Sequence, residues 1–237
     1  MNTTRILVWD IPTRLFHWLL ALSFAGAYIT AESESWRLVH VTLGYTFGGL
    51  ILFRLLWGLI GTRHARFTDF AFSPRRVRAY LRSLVSGRPE HHVGHNPAGS
   101  WAIYAILLFG LGIAVSGYAL YNEIGGEAFE EVHEVLANLL LGVVVVHIAG
   151  VVVSSVLHRE NLPRSMVTGY KNGSGSGEAA QGIGRAHAGV GIALAGLVLA
   201  FWLNAFGVRE TLVGAPVDVA DNPAALGEQE HDHDDDD

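Results

Sequence analysis

The sequence predicts an all-α membrane protein: a transmembrane four-helix bundle followed by a fifth, C-terminal transmembrane helix. Three observations carry that prediction. Half of the 237 residues are apolar and only 16% are charged, against about 25% charged in an ordinary soluble domain. The apolar residues cluster into runs long enough to cross a hydrocarbon core of about 30 Å. Glycine and proline fall between the runs, as at Gly125-Gly126, where chain reversal is expected.

Five segments qualify as spans. The first runs from about Pro12 to Ala31 and the second from about Trp36 to Ile60. The third covers Ser100 to Tyr121, the fourth Glu131 to Leu157, and the fifth His187 to Phe206. Residues 1–171 are expected to form the four-helix domain, 172–186 a flexible cytoplasmic linker opening with NGSGSG, and 187–206 the fifth helix. Residues 207–237, ending in HDHDDDD, are expected to be a disordered acidic tail. That tail supplies much of the net charge of −6. No cleavable signal peptide is expected, because the first apolar run follows MNTTRILVWDIPTR without an A-x-A site.

The distribution of basic residues predicts orientation. Arg5 and Arg14 precede the first span, seven arginines from Arg63 to Arg88 occupy the second connection, and Arg159, Arg164, Lys171 and Arg185 the fourth. These are thirteen of the sixteen Lys and Arg residues, all on one side of a five-span chain. The N-terminus is therefore expected in the cytoplasm and the C-terminus outside. Within the second connection, Val77, Tyr80, Leu81, Leu84 and Val85 recur at helical spacing, with arginines on much of the other face. Pro74 to Arg88 is thus expected to be a short basic helix on the anionic inner leaflet.

Histidines supply the functional signal. His17, His40, His133 and His147 lie on apolar stretches, where ionisable side chains are costly and mark functional sites. His133 and His147 are fourteen residues apart, which leaves them about 40° apart around one helix and separated by about 21 Å along it. One helix can then supply a ligand near each membrane face. The second and fourth spans both begin outside, so His40 and His133 can meet there. His17 begins the first span and can meet His147 on the cytoplasmic side. Paired imidazoles suit low-spin haem iron, and a four-helix bundle seats cofactors between facing helices. The chain has no cysteine. Thiolate iron–sulfur ligation and thioether-attached haem are therefore excluded, and two non-covalent b haems are expected. His17 and His147 would ligate the inner iron, His40 and His133 the outer.

Arg54 lies fourteen residues after His40, about 21 Å further in on nearly the same face. A buried arginine needs an anion, and the propionates of the inner haem would serve; Arg14, one turn before His17, could act similarly. Snorkelling to the interface is the alternative for Arg54. Gly44, Gly48, Gly49, Gly110, Gly112, Gly117, Gly142 and Gly150 could make room for a porphyrin, or simply let helices approach closely in lipid. His91, His92 and His95 read as solvated loop residues. His158 and His187 lie at helix ends, and His231 and His233 in the acidic tail.

Several motifs carry a resemblance. VWDIPTRLFHW (Val8 to Trp18), RLVHVTLGY (Arg37 to Tyr45), GHNPAGSW (Gly94 to Trp101) and EVHEVLANLLLGVVVVHIAGV (Glu131 to Val151), followed by LHRENLPRSMVTGYK, are similar to the bacterial cytochrome b561 family. That family includes the b-type cytochrome subunit of nickel–iron hydrogenases. The resemblance covers about Val8 to Lys171. It implies two b haems on the four histidines and electron exchange between a redox partner and membrane quinone, in the bacterial inner membrane. The expected partners are the membrane, quinone, and a hydrogenase or c-type cytochrome; nucleic acid is not among them. Direct superoxide:quinone oxidoreduction is an alternative. A haem-free metal or proton transporter is a third possibility, although its histidine relays usually include intramembrane carboxylates, which these spans nearly lack away from their ends.

Overall fold

A computed structural model describes residues 4–70, 73–86, 93–173 and 182–207. The order is β1 (Thr4–Leu7), α1 (Ile11–Thr30), α2 (Arg37–Ile60), α3 (Pro74–Val85), α4 (Pro97–Tyr121), α5 (Glu127–Leu157), α6 (Leu162–Thr168), β2 (Tyr170–Gly173) and α7 (Ala188–Ala205), with 3-10 turns at Glu34–Trp36 and Arg63–Ala65. The chain divides into a unit spanning Met1–Val198 and a second spanning Leu199–Asp237. Of the second, residues 199–207 are described and hold the last turns of α7.

Short polar residues start the helices. Asp10 caps α1 by accepting from Thr13 N at 2.7 Å, Asn96 caps α4 through Gly99 N at 2.6 Å, and Asn161 caps α6 through Arg164 N at 2.8 Å. Each is followed by a proline in the first helical positions, where the absent N–H costs nothing. The Asn96-Pro97 pair starts α4 three residues before the expected Ser100. At α5 the acidic Glu127 and Glu130 occupy the first turn, where carboxylates favour the helix dipole. The helix accordingly begins four residues before the expected Glu131.

Long apolar helices account for most of the unit Met1–Val198. Among the described residues, Glu34–Ile60, Pro97–Tyr121, Glu127–Leu157 and Ala188–Ala205 are each long and apolar enough to cross a membrane. α1 has comparable length, but Thr13, Arg14 and His17 make its first two turns polar. α1 packs along α2, α2 on α4, and α4 along α5. Phe47 and Ile51 of α2, Leu107 and Ile113 of α4, and Leu140 of α5 form one buried cluster. A second cluster joins Phe16 of α1, Leu50 of α2 and Leu194 of α7.

The arginine-rich end contains structure that an all-helical expectation omitted. β1 pairs antiparallel with β2, from Thr4 opposite Gly173 to Leu7 opposite Tyr170. Asn172 and Gly173 are therefore paired strand residues, not the start of a linker; positions 174–181 fall outside the described residues. The seven-residue α6 was also unforeseen. It ends at Gly169, whose φ of 87° lies in the left-handed region and whose Cβ, if present, would sit 2.7 Å from Trp9 O. Only glycine fits both constraints. The Gly169 carbonyl accepts from Val8 N at 2.8 Å and Trp9 N at 3.1 Å, docking the strand pair beneath α1.

α3 is helical where its periodicity predicted. Tyr80 is buried, with its hydroxyl 3.4 Å from Ser154 Oγ of α5, while Arg75, Arg76, Arg78 and Arg82 are exposed.

Candidate functional site

The four span histidines divide between the two ends of the helices. At the end remote from the arginine-rich connections, the rings of His40 (α2) and His133 (α5) lie with centroids 6.4 Å apart. His40 Nδ1 donates to the carbonyl of Ala27 on α1 at 2.8 Å. Ser116 Oγ on α4 donates to Gly112 O at 2.8 Å, which leaves its lone pair to accept from His133 Nδ1 at 3.0 Å. Both rings thus have their Nδ1 committed to an oxygen acceptor, which leaves Nε2 as the nitrogen for a metal, the arrangement that outer-sphere acceptors impose on metal-binding histidines. Two metal–imidazole bonds of about 2 Å, each extended by roughly 1 Å to the ring centre, would place centroids roughly 6 Å apart. The observed separation therefore fits one metal ion between the rings. Among the described residues no group of three or more His, Asp or Glu side chains could hold a metal. Two imidazoles without further protein ligands suit a metal whose equatorial ligands come from a macrocycle.

The glycines serve different ends. A Cβ at Gly117 would meet His133 Cε1 at 3.0 Å, so that glycine makes room for the ring. Cβ atoms at Gly48, Gly110 and Gly112 would press on Ala114, Ile51 and Leu136 respectively, which is close helix packing. Gly44, Gly49, Gly142 and Gly150 face open space.

At the arginine-rich end, His17 on α1 and His147 on α5 are close enough to interact electrostatically. Among the described residues, four buried nitrogens here lack a hydrogen-bond partner: Arg14 Nε, His17 Nδ1, Arg54 Nη1 and His95 Nδ1. Leaving such groups unpaired costs about 1–3 kcal/mol each, so their concentration at one end marks a place for an acceptor-rich ligand. Arg54 does not snorkel. It is only 4% exposed, with its guanidinium 4.9 Å from the Phe67 ring centre and 5.7 Å from that of Phe70. Arg14 donates from Nη1 to Val167 O, which ties it to the end of α6. The unpaired guanidinium nitrogens of Arg54 and Arg14 fit the carboxylates of a haem.

His95 corrects the sequence reading. It is not a solvated loop residue: its ring packs 4.6 Å from Trp9 and 4.4 Å from Phe70. Burial, then Arg54, Lys171, His64 and His147, hold it well below the ordinary histidine pKa. His64, which the sequence reading passed over, is 3% exposed and its Nδ1 lies 2.8 Å from Asp69 Oδ2. Lys171 is buried 3.9 Å from Glu160; burial lowers its pKa and Glu160 opposes that. The available signal was the string Gly94-His95-Asn96-Pro97, which places a histidine beside a helix cap at the depth expected for Arg54. His158 caps α5, and His187 directly precedes α7 beside Trp57. His91, His92, His231 and His233 lie outside the described residues.

The family model of prokaryotic cytochrome b561 matches residues 8–169, from the end of β1 to the end of α6. The chain belongs to the prokaryotic cytochrome b561 family. Membership implies a b-type haem and, with several long apolar helices, a multi-pass bacterial membrane protein. The b561 chain is 29% identical over 148 residues to a protein of Azotobacter vinelandii described as "Probable Ni/Fe-hydrogenase B-type cytochrome subunit", covering 51% of this chain and 61% of the relative. An Escherichia coli K12 protein, "Probable Ni/Fe-hydrogenase 1 B-type cytochrome subunit", is 26% identical over 149 residues, 52% of this chain and 63% of the relative. The match therefore spans about three-fifths of the length of these two relatives. A Cupriavidus necator protein with the same description as the Azotobacter one is 25% identical over 211 residues, 69% of this chain and 86% of the relative. No solved structure matches the chain.

Proposed function

We propose that the b561 chain carries electrons across the bacterial inner membrane through two b haems, one between His40 and His133 and one between His17 and His147. The observation that carries this reading is the His40–His133 pair, with centroids 6.4 Å apart and each Nδ1 engaged by a neighbouring oxygen. When bound, haem supplies an iron that cycles between two oxidation states without an open coordination position. The protein's contribution is orientation and electrostatics. Ala27 and Ser116 hold the outer rings in one tautomer. Arg54 and Arg14 place positive charge where haem carboxylates would end. The bias of Lys and Arg puts the arginine-rich end in the cytoplasm, so His17 and His147 serve the inner haem. All five long apolar segments, α1 included, cross the bilayer in this reading, and α7 stands outside the haem bundle. The hydrogenase-associated relatives support a hydrogenase as redox partner, with quinone as the membrane carrier.

Pyridine haemochrome assay of the purified protein, with the chain counted by amino-acid analysis, is expected to give two non-covalent haems per chain. A ratio well below two would end this reading. The role of Ser116 gives a finer test. Removing the outer acceptor of a metal-bound histidine costs about 10–100-fold in affinity. Ser116→Ala is accordingly expected to shed one haem about 10-fold faster than wild type when challenged with excess apomyoglobin, while the other is retained normally.

A further inference from the structure

We propose that His95 and Arg54 form a carboxylate clamp that holds a propionate of the haem at the His17–His147 end. This rests on the two-haem reading above and adds a residue from outside the helices. His95 Nδ1 and Arg54 Nη1 are both buried and unpartnered, and the two side chains share a neighbour. Phe70 packs against the His95 ring at 4.4 Å and under the Arg54 guanidinium at 5.7 Å. His95 is also within electrostatic reach of Arg54 and of His147.

The loop that carries His95 is fixed on both sides. Gly94 lies so close to the His64–Asp69 pair that a Cβ would meet His64 Nδ1 at 2.9 Å. Asn96 is committed to the α4 cap. Trp9 closes the opposite face of the ring at 4.6 Å. A histidine so confined cannot turn to solvent for a partner.

The ligand class follows from the donors. A guanidinium offers only N–H groups, so its partner must accept. Asp10, the buried carboxylate nearest in charge to Arg54, already accepts from Thr13 N, Trp57 Nε1 and Thr62 Oγ1. A second carboxylate, with one oxygen towards Arg54 and one towards His95, would satisfy both orphaned nitrogens. A propionate of the haem proposed between His17 and His147 is the carboxylate that the bundle supplies.

His95 is a positioning residue, so the test reads a potential. Purified full-length protein with its haems is titrated potentiometrically as wild type, His95→Leu and His95→Gln; the haem missing from His147→Ala identifies which signal belongs to the inner site. Losing a hydrogen bond to the carboxylate leaves its negative charge less compensated and favours ferric iron. His95→Leu is expected to raise the inner ferric-to-ferrous ratio at fixed potential about tenfold, a fall of about 59 mV for one electron. The Gln variant, which keeps a donor, is expected to recover part of the shift, and the outer haem to stay at its wild-type potential. Unchanged potentials in both variants would overturn the clamp and leave a buried water as the simpler acceptor. So would loss of both haems from both variants, which would assign His95 to folding. A wild-type protein without haem would defeat the underlying reading, and pyridine haemochrome assay detects that separately.

Discussion

Replacing His147 with alanine is expected to leave a folded protein with one haem instead of two, and His133→Ala to leave the complementary one. The two positions lie on the same helix, fourteen residues and about 21 Å apart; His133 is beside His40, and His147 is within electrostatic reach of His17. In the proposed assignment each imidazole is one of two protein ligands to its iron, so its loss would remove half of the protein's direct hold on that haem. The helix should survive both changes, since alanine is the best helix former and neither ring belongs to the buried cluster around Phe47, Ile51 and Leu140. Reduced-minus-oxidised spectra of the two variants should be different halves of the wild-type spectrum. Identical residual spectra, or full haem content in either variant, would refute the two-site assignment.

The second large effect is expected at Asp10. This carboxylate is fully buried and accepts from Thr13 N at 2.7 Å, Thr62 Oγ1 at 2.7 Å and Trp57 Nε1 at 3.1 Å. It therefore caps α1 and ties that cap to the C-terminal end of α2. Asp10→Ala takes the acceptor from three donors, the Thr13 N–H, the Trp57 indole N–H and the half-buried Thr62 hydroxyl. At about 1–3 kcal/mol per stranded buried group, the loss should be at least about 3 kcal/mol. It should appear as a lower melting midpoint of the detergent-solubilised protein and as preferential loss of the haem proposed at His17, which lies two turns from the cap. Asp10→Asn retains one acceptor oxygen and should cost less than the alanine variant. Equal melting of wild type and Asp10→Ala would show that the cap bears no load.

Local rules made much of this molecule readable in advance. Apolar run length located the long helices to within four residues, and the misses at α4 and α5 came from caps and acidic first turns that periodicity alone ignores. The fourteen-residue repeat between His133 and His147, and between His40 and Arg54, follows from helix geometry, so depth and face could be inferred without coordinates. That the His40 and His133 rings come close was expected because the second and fourth spans begin on the same side. His95 and His64 were not. Both stand in polar stretches that look solvated, and only the arrival of Trp9 and Phe70 from distant parts of the chain buries them. α6 is too short to show a period, and β1 meets β2 across more than 160 residues of chain, which no local pattern encodes.

Composition and spacing by themselves determined that this chain forms long apolar helices with imidazoles at two depths, because helix rise and the cost of burying polar groups in lipid act residue by residue. Tertiary structure alone decided which nitrogens are already occupied. Ala27 and Ser116 fix the His40 and His133 tautomers, Val167 claims one nitrogen of Arg14, and Arg54 and His95 remain open. The physical reason is that hydrogen-bond satisfaction is a property of neighbours in space, and these neighbours come from separate elements that meet only when the chain has folded.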